Sequence, residues 1–308
     1  MELRRVFLYG ALMAILFMMW TSWEVDYPSQ PRVTPSAEQQ SLPAGTSTSE
    51  QQEGSFVPSV NIEATDHSPD GVLPQVVEAI PEHRKITVET DVLQLVIDRL
   101  GGNIVEAKLL DYQQNIDDVD NPIILLNNDA STRYIAQSGV VAVGQNQATD
   151  RLFSAEQRDF RLQPGQDNLQ INLLSKDNNG LDIIKTFRIE RDSYLIQVDY
   201  QINNQSNQEW QGSIYNQLVR AQPPDQSSWF HIGSYTGASI SDPANKLFEK
   251  ISFADMAKRT LNRTITGGWA AMQQHYFISA WVPNEDQTSR FYSHDNRRGE
   301  YTIGYIGP

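Results

Sequence analysis

Cysteine is absent from the 308 residues of this sequence. Its absence excludes disulfide bridges, thiolate-bound metals and a thiol nucleophile. The stability of the fold therefore has to come from a hydrophobic core. A chain of this length has room for one large domain or two ordinary ones.

Basic residues are also few, because 24 Lys and Arg stand against 38 Asp and Glu, for a formal net charge of −14. Nucleic-acid binding needs clustered Lys and Arg, so this balance argues against a nucleic-acid partner. The negative charge is unevenly spread. Residues 24–83 hold ten acidic residues and one basic residue, Arg32, which gives that segment a net charge of −9.

Only one long apolar run is present, the eighteen uncharged residues VFLYGALMAILFMMWTSW from Val6 to Trp23. As a helix this run would be about 27 Å long, close to the thickness of the hydrocarbon core of a bilayer. A buried core helix would usually carry a polar stripe, and this run has none. The sequence therefore predicts a transmembrane helix over residues 6–23, with Trp20 and Trp23 as interfacial anchors.

Flanking charges predict the orientation of this helix. Arg4 and Arg5 precede it, whereas Glu24 and Asp26 follow it. The positive-inside rule then places residues 1–5 in the cytoplasm and exports the rest of the chain. A cleaved signal peptide is the alternative, but cleavage needs small residues where this run ends in the bulky MMWTSWEV. An uncleaved signal-anchor is the better interpretation.

The segment after the helix, residues 24–83, is rich in Pro, Ser, Thr and Gln and shows no hydrophobic periodicity. Such a composition buries too little apolar surface to offset the entropy lost on ordering. We predict a disordered acidic linker that holds the following domain away from the membrane.

In the remaining residues, 84–308, apolar and polar residues alternate as is typical of β-strands. Ile86 and Val88 alternate, as do Leu93, Leu95 and Ile97, and a Gly-Gly turn follows. Three more alternating segments with short turns lie between residues 169 and 202, which predicts an antiparallel meander with one half-polar face. The fold class is therefore mainly β, a large antiparallel β-sandwich with a few short helices.

One of those helices is expected between Lys246 and Leu261. In that interpretation Phe248, Ile251 and Met256 turn inward.

The stretch GGWAAMQQHYFISAWVP, residues 267–283, is dense in aromatic side chains. Read as an extended chain, both of its faces are mostly apolar, as expected for a strand that is covered on both sides. Its second half, FISAWVP, is the more secure strand, and Pro283 ends it because proline cannot donate to the ladder. We expect four of its aromatic residues to be largely buried, namely Trp269, Tyr276, Phe277 and Trp281.

A catalytic interpretation of this stretch would rest on His275 with a carboxylate partner. The next carboxylate along the chain is Glu285, beyond Pro283, and no HExxH, GxSxG or phosphate-loop pattern occurs in the sequence. A lone histidine in an aromatic strand is more often structural. We therefore predict a protein that is not an enzyme, with no catalytic, cofactor-binding or metal-binding residue.

The same stretch resembles the periplasmic domain of the YidC membrane protein insertases of Gram-negative bacteria. The resemblance lies in the order and spacing of eight residues: Gly267, Gly268, Trp269, Met272, Tyr276, Phe277, Trp281 and Pro283. Three further segments are similar to that family: the helix that ends in WTSWE, the strands TDVLQLVIDRLGGNIVEAKLLDY and the hairpin KTFRIERDSYLIQVDYQINNQS. Together they cover the anchor and nearly everything from Lys85 onward.

The resemblance implies a β-supersandwich fold similar to that of galactose mutarotases. It implies a role in the insertion and folding of proteins of the bacterial inner membrane, with the main domain in the periplasm. The implied partners are nascent inner-membrane proteins, the lipid bilayer, and the Sec translocon with its accessory subunits. No cofactor is implied.

In that family the chain continues into a bundle of five membrane helices that carries the insertion groove, whereas this sequence ends at YTIGYIGP. We therefore expect a fragment or a truncated product whose β domain is incomplete at its C-terminus. Because one apolar helix offers no polar path through the bilayer, this chain alone is not expected to insert proteins. Two alternatives stay open: a membrane-anchored periplasmic scaffold, and a β-sandwich module that binds a carbohydrate or another polymer.

Overall fold

The structure is a computed structural model, and the residues that it describes are 55–56, 79–114, 121–143, 147–148, 151–177, 180–222, 235–274 and 276–308. The predicted transmembrane helix with its anchors Trp20 and Trp23 lies outside these ranges, as do Arg4, Arg5 and His275. Within the described ranges, no helix has the length and apolar character needed to cross a membrane.

The described residues form nineteen β-strands, one α-helix and one 3-10 helix, Glu82–Arg84. The first strands are β1 Ser55–Phe56, β2 Lys85–Glu89, β3 Leu93–Asp98, β4 Asn103–Gln113, β5 Pro122–Leu126, β6 Tyr134–Ala142, β7 Gln147–Ala148, β8 Asp159–Arg161, β9 Asn168–Lys176 and β10 Leu181–Glu190. The remaining elements are β11 Ile196–Asn204, β12 Gly212–Ala221, β13 Gly237–Asp242, β14 Lys246–Ile251, α1 Phe253–Lys258, β15 Asn262–Thr266, β16 Trp269–Gln274, β17 Phe277–Trp281, β18 Thr288–Asp295 and β19 Glu300–Ile306. The chain is therefore mainly β, as predicted.

Ten of the strands form one large sheet in the order β15-β18-β19-β12-β6-β4-β3-β2-β8, with β5 paired to β4. The pairing of β2 with β8 is parallel, and the other pairings in this sheet are antiparallel. The predicted strands at Ile86–Val88 and Leu93–Ile97 are confirmed as β2 and β3. The glycine turn after them is also confirmed, because Gly101 and Gly102 both have positive φ, at 80° and 63°.

Two smaller sheets face the large one. The three-stranded sheet β11-β10-β9 is the predicted antiparallel meander, and the four-stranded sheet has the order β14-β13-β16-β17. One continuous hydrophobic core joins residues of all three sheets, for example Leu95 of the large sheet, Phe187 of the meander and Met272 of the four-stranded sheet. This two-layer arrangement is consistent with a β-sandwich.

The predicted half-polar face of the meander is confirmed on β11. Its inward residues alternate with four exposed polar residues, Gln197, Asp199, Gln201 and Asn203.

The segment Lys246–Leu261 differs from the prediction in its first half. The helix is confirmed but is confined to Phe253–Lys258, because Ser252 Oγ accepts a hydrogen bond from the backbone N–H of Asp255 and so caps the helix at that point. Met256 is buried as expected, whereas Phe248 lies on strand β14 and is 43% exposed. Strand β14 is the edge strand of its sheet, and its residues Lys246, Leu247 and Phe248 are all exposed.

The predicted linker contributes to the folded domain at two places. Strand β1 pairs antiparallel with β7, so Ser55–Phe56 are held on the domain. Nearer the domain, Ile80 packs against a buried cluster of Val105, Ile135 and Val219. The domain therefore includes contacts made before the predicted boundary at residue 84.

Candidate functional site

Residues 267–283 form a β-hairpin, which corrects the expectation of a single extended stretch. Gly267 and Gly268 open it with φ of 68° and 74°. Strands β16 and β17 then pair antiparallel, with Gln274 opposite Phe277. The chain reverses at Tyr276, whose φ is 74°. Glycine, asparagine or aspartate usually marks such a turn, and the sequence His275-Tyr276 contains none of them, so the alternating pattern hid the reversal.

The hairpin is buried unevenly. Ala270, Ala271 and Met272 on β16 are completely buried. Tyr276, however, is 88% exposed, so the expectation that it is buried is wrong. Its position in the turn carries its side chain beyond the sheet.

The other aromatic residues of the hairpin are half-buried. Trp269, Phe277 and Trp281 have intermediate exposure, and Pro283 is buried. The indole N–H of Trp281 donates to the backbone carbonyl of Gln217 at 3.0 Å, which attaches β17 to β12 of the large sheet. Phe277 and Trp281 pack against the core, but these aromatic side chains are less buried than predicted.

An exposed cluster forms where the end of β4 meets the β10–β11 turn and the β16–β17 turn. The ring of Tyr112 lies 6.1 Å from the ring of Tyr194 and 5.4 Å from that of Phe277, edge-on to the latter at 85°. Tyr112 is 46% exposed, Tyr194 42% and the adjacent Leu195 63%. We call these four residues the apolar end patch.

Three carboxylates border the apolar end patch: Asp91, Asp111 and Asp192. The hydroxyl of Tyr194 donates to Asp111 Oδ2 at 2.8 Å. The backbone N–H of Asp192 donates to Asp91 Oδ2 at 3.0 Å. Arg191 is the cation beside them, with Nη1 at 3.7 Å from Asp91 Oδ2. The four charged groups therefore carry an excess of negative charge.

The titration of these groups reflects that excess. Burial, the hydrogen bond to Asp111 and the charges of Asp111 and Asp91 together raise the pKa of Tyr194 to about 12. The pKa of Asp192 is raised as well, because its carboxyl group hydrogen-bonds to Asp91 and is repelled by the charge of Asp91 and of Asp111. Both shifts show that negative charge accumulates beside the aromatic rings.

A buried lysine joins the meander to the large sheet. Nζ of Lys185 on β10 donates to the carbonyl oxygens of Gly102 at 2.7 Å and Ser138 at 2.9 Å. It lies 5.2 Å from the ring centre of Phe187 and 5.5 Å from that of Tyr200. Burial lowers the pKa of Lys185 well below its ordinary value. Within the described ranges, Lys185 forms no ion pair with a carboxylate.

The sequence analysis missed Lys185, although a signal was present. Residue 185 stands on the same side of the alternation as Ile183, Phe187 and Ile189, all of which are buried. A lysine at an inward position of a clear strand indicates a buried cation with internal partners.

A second buried cation lies under the four-stranded sheet. The Arg220 guanidinium is 4.6 Å from the ring centre of Tyr134 and donates to Gln274 Oε1 at 2.7 Å and to the Gln273 carbonyl at 3.3 Å. The Tyr134 hydroxyl donates to the Met272 carbonyl at 3.2 Å. These contacts fix strand β16 on the large sheet, so both buried cations serve the packing of the layers.

Metal binding was not predicted from the sequence. In the part of the chain that the structure describes, no group of three or more His, Asp and Glu side chains could hold a metal ion. The expectation that the protein has no catalytic residue stays a prediction.

Comparison with known proteins shows the family. A family model described as the YidC periplasmic domain matches residues 85–308. Proteins named "Membrane protein insertase YidC" from Legionella pneumophila (strain Corby) and Coxiella burnetii (strain RSA 331 / Henzerling II) are 40% and 36% identical to this chain, over 99% and 100% of its length. A protein of the same name from Thioalkalivibrio sulfidiphilus (strain HL-EbGR7) is 34% identical over 99%.

These matches cover 53%, 54% and 54% of the three relatives, so the chain spans about half of their length. The family model covers strands β2 to β19, including the apolar end patch and the hairpin of residues 267–283. The resemblance seen in the sequence is therefore confirmed, and the chain belongs to the family of YidC membrane protein insertases.

Proposed function

We propose that this chain is the periplasmic part, with its membrane anchor, of an insertase that inserts and folds proteins of the bacterial inner membrane. One observation supports the proposal above all others: similarity to proteins named membrane protein insertases extends over nearly the whole chain. The nascent inner-membrane proteins and the bilayer are the partners that follow from this role. The Sec translocon and its accessory subunits are further proposed partners.

The proposed topology has one span. Residues 6–23 cross the membrane, residues 1–5 lie in the cytoplasm, and residues 24–308 lie in the periplasm. The support is the uncharged run of eighteen residues between Arg4-Arg5 and Glu24. The acidic stretch that begins at residue 24 acts as a linker, and the β domain has the supersandwich architecture that the family resemblance implies. The two-layer core described above is consistent with that architecture.

Protease accessibility tests this topology. The full chain carries one epitope tag before Met1 and another after Pro308, and protease is added to intact spheroplasts. We expect loss of the C-terminal tag and of the domain, while the N-terminal tag is digested only after the membrane is permeabilised. Protection of the domain in intact spheroplasts contradicts the topology.

Complementation tests the proposed role. In cells depleted of their own insertase, residues 24–308 replace the matching segment of the Legionella pneumophila relative, and growth and client insertion are followed. We expect this chimaera to support growth as well as the unmodified relative does. Residues 1–308 expressed alone are not expected to rescue growth, because the run from Ala11 to Trp20 has no polar side chain to line a path.

Two outcomes contradict the proposal. One is a chimaera that accumulates in the membrane but inserts no client, while the unmodified relative does. The other is rescue by residues 1–308 alone, which would mean that insertion proceeds without a polar path in the bilayer.

A further inference from the structure

We propose that the apolar end patch and the three carboxylates beside it form a docking surface for a polypeptide segment in which Arg or Lys side chains alternate with apolar side chains. The inference rests on the chemistry of the patch and does not depend on the proposed insertase activity.

The apolar half of this surface is preorganised. Tyr112 contacts both other aromatic rings of the patch, and the hydroxyl of Tyr194 is fixed on Asp111. Three separate segments of the chain therefore hold these rings in place before any partner arrives. Exposed aromatic side chains that lose little freedom on binding are the usual anchors of protein interfaces.

The charged half selects a cationic partner. Asp91 pairs with the nearby guanidinium of Arg191, and the charge of Arg191 also acts on Asp192. Arg191 also donates to the carbonyl oxygens of Gln166 and Gln163, both at 3.0 Å, which holds its guanidinium against the β8–β9 loop. An Arg or Lys side chain of a partner can pair with these carboxylates and lie against the faces of the tyrosine rings.

The strand next to the patch explains why the partner is an extended polypeptide. Strand β17 starts at Phe277 and, among the described strands, pairs only with β16, so its other edge is open. On the face of β17 opposite Phe277, exposed apolar side chains also follow this edge, since Ile278 is 49% exposed and Val282, just after the strand, is 60% exposed. A partner strand added to this edge would present every second side chain to that row.

A second pair of exposed apolar side chains lacks this combination of ordered aromatic rings and neighbouring carboxylates. Leu247 and Phe248 on β14 are 73% and 43% exposed. Charges of both signs surround them, namely Lys246, Lys250 and the Glu249–Arg263 ion pair. Three of these four groups are basic, so this pair would favour an acidic partner, and complementarity to a basic partner exists at the apolar end patch and not at this pair.

Fluorescence anisotropy with labelled ten-residue peptides tests the proposal. The full 308-residue chain is held in uncharged detergent micelles. The probe is five Arg-Leu repeats, and the controls are five Glu-Leu repeats and five Arg-Ser repeats. We expect the Arg-Leu peptide to bind, and both controls to bind at least about tenfold more weakly, because each lacks one half of the recognised chemistry.

Matched variants locate the binding. Asp111→Asn should raise the Kd of the Arg-Leu peptide about threefold, as for loss of one exposed ion pair. Tyr112→Ser combined with Tyr194→Ser should raise it about tenfold. Leu195→Ser, which changes an exposed side chain and so leaves the fold intact, should also weaken binding. Glu209→Gln removes an exposed carboxylate in the β11–β12 loop and should leave the Kd unchanged.

Several results would overturn the proposal. They are equal binding of the Arg-Leu and Glu-Leu peptides, no binding of the Arg-Leu peptide, or binding that Asp111→Asn and Leu195→Ser leave unchanged. Sedimentation velocity adds a further one: a dimer of this chain that Leu195→Ser dissociates would make a second copy the occupant of the patch.

Discussion

Replacing Gly268 by alanine should destabilise the domain more than a positive φ alone requires. Gly268 stands at the entrance to β16 with φ of 74°. A Cβ placed there would lie 2.2 Å from the carbonyl oxygen of Ser241 and 3.2 Å from Cδ of Pro243. Ser241 belongs to β13 and is opposite Trp269, the first residue of β16. The substitution therefore pushes apart the first pair of the ladder between these strands.

The loss of stability expected for Gly268→Ala has two contributions. An alanine held in the left-handed region costs about 1–2 kcal/mol. Displacement of the Ser241 backbone adds about 1–3 kcal/mol, the usual range for inserting a methyl group into a packed site. Gly268→Ala should therefore lower the free energy of unfolding by about 2–5 kcal/mol.

Gly165→Ala is the matched control. Gly165 also has a positive φ, 84°, but a Cβ there would meet nothing within 4 Å. The free energy of unfolding of this variant should fall only by the cost of holding an alanine in the left-handed region, about 1–2 kcal/mol. Urea unfolding of both full-length variants, followed by tryptophan fluorescence, measures the difference, since Trp269 and Trp281 lie in the affected hairpin.

Equal destabilisation by the two substitutions would refute the close approach of Gly268 to β13. A Gly268→Ala variant as stable as the wild type would refute the positive φ as well.

Two further predictions concern the hairpin and the buried lysine. Met272→Ala should lower the free energy of unfolding by about 2–5 kcal/mol because Met272 is completely buried. Tyr276→Ala should change it by less than about 0.5 kcal/mol because Tyr276 is exposed. Similar losses for both variants in urea titrations would contradict the hairpin. Burial lowers the pKa of Lys185 in the folded protein. At pH values between that lowered pKa and the pKa of about 10.4 in the unfolded chain, the unfolded chain binds more protons than the folded protein does. The free energy of unfolding should therefore rise with pH in this window. Lys185→Met should lack this rise, and parallel stability–pH curves for wild type and variant would rule out the assigned shift.

Local patterns predicted those parts of the fold that depend on neighbouring residues. The meander of β9, β10 and β11 was predictable because alternation and turn residues lie within one continuous segment. The helix cap at Ser252 is equally local, but it was not predicted, so the start of α1 was missed. The reversal at Tyr276 was missed because a turn without glycine, asparagine or aspartate leaves the alternation unbroken.

No local sequence pattern predicts the apolar end patch. Asp111 and Tyr194, which share a hydrogen bond, are 83 residues apart in the chain. Phe277 reaches Tyr112 from a different sheet. The pairing of whole strands decides which residues meet at one end of a sandwich, and a single sequence carries no direct record of that pairing. Phe248 shows the same limit, because the helical pattern did not reveal that this residue lies on strand β14.

The buried amine of Lys185 gives the interface between the two layers a chemical reporter. Acylating reagents modify an amine only when they can reach it, and Lys185 is 1% exposed between β10, the Gly101-Gly102 turn and Ser138 of β6. Lys176 on β9, in the same small sheet, is exposed and should react first. The delay between acetylation of Lys176 and of Lys185, read by mass spectrometry, therefore measures how often the meander separates from the large sheet.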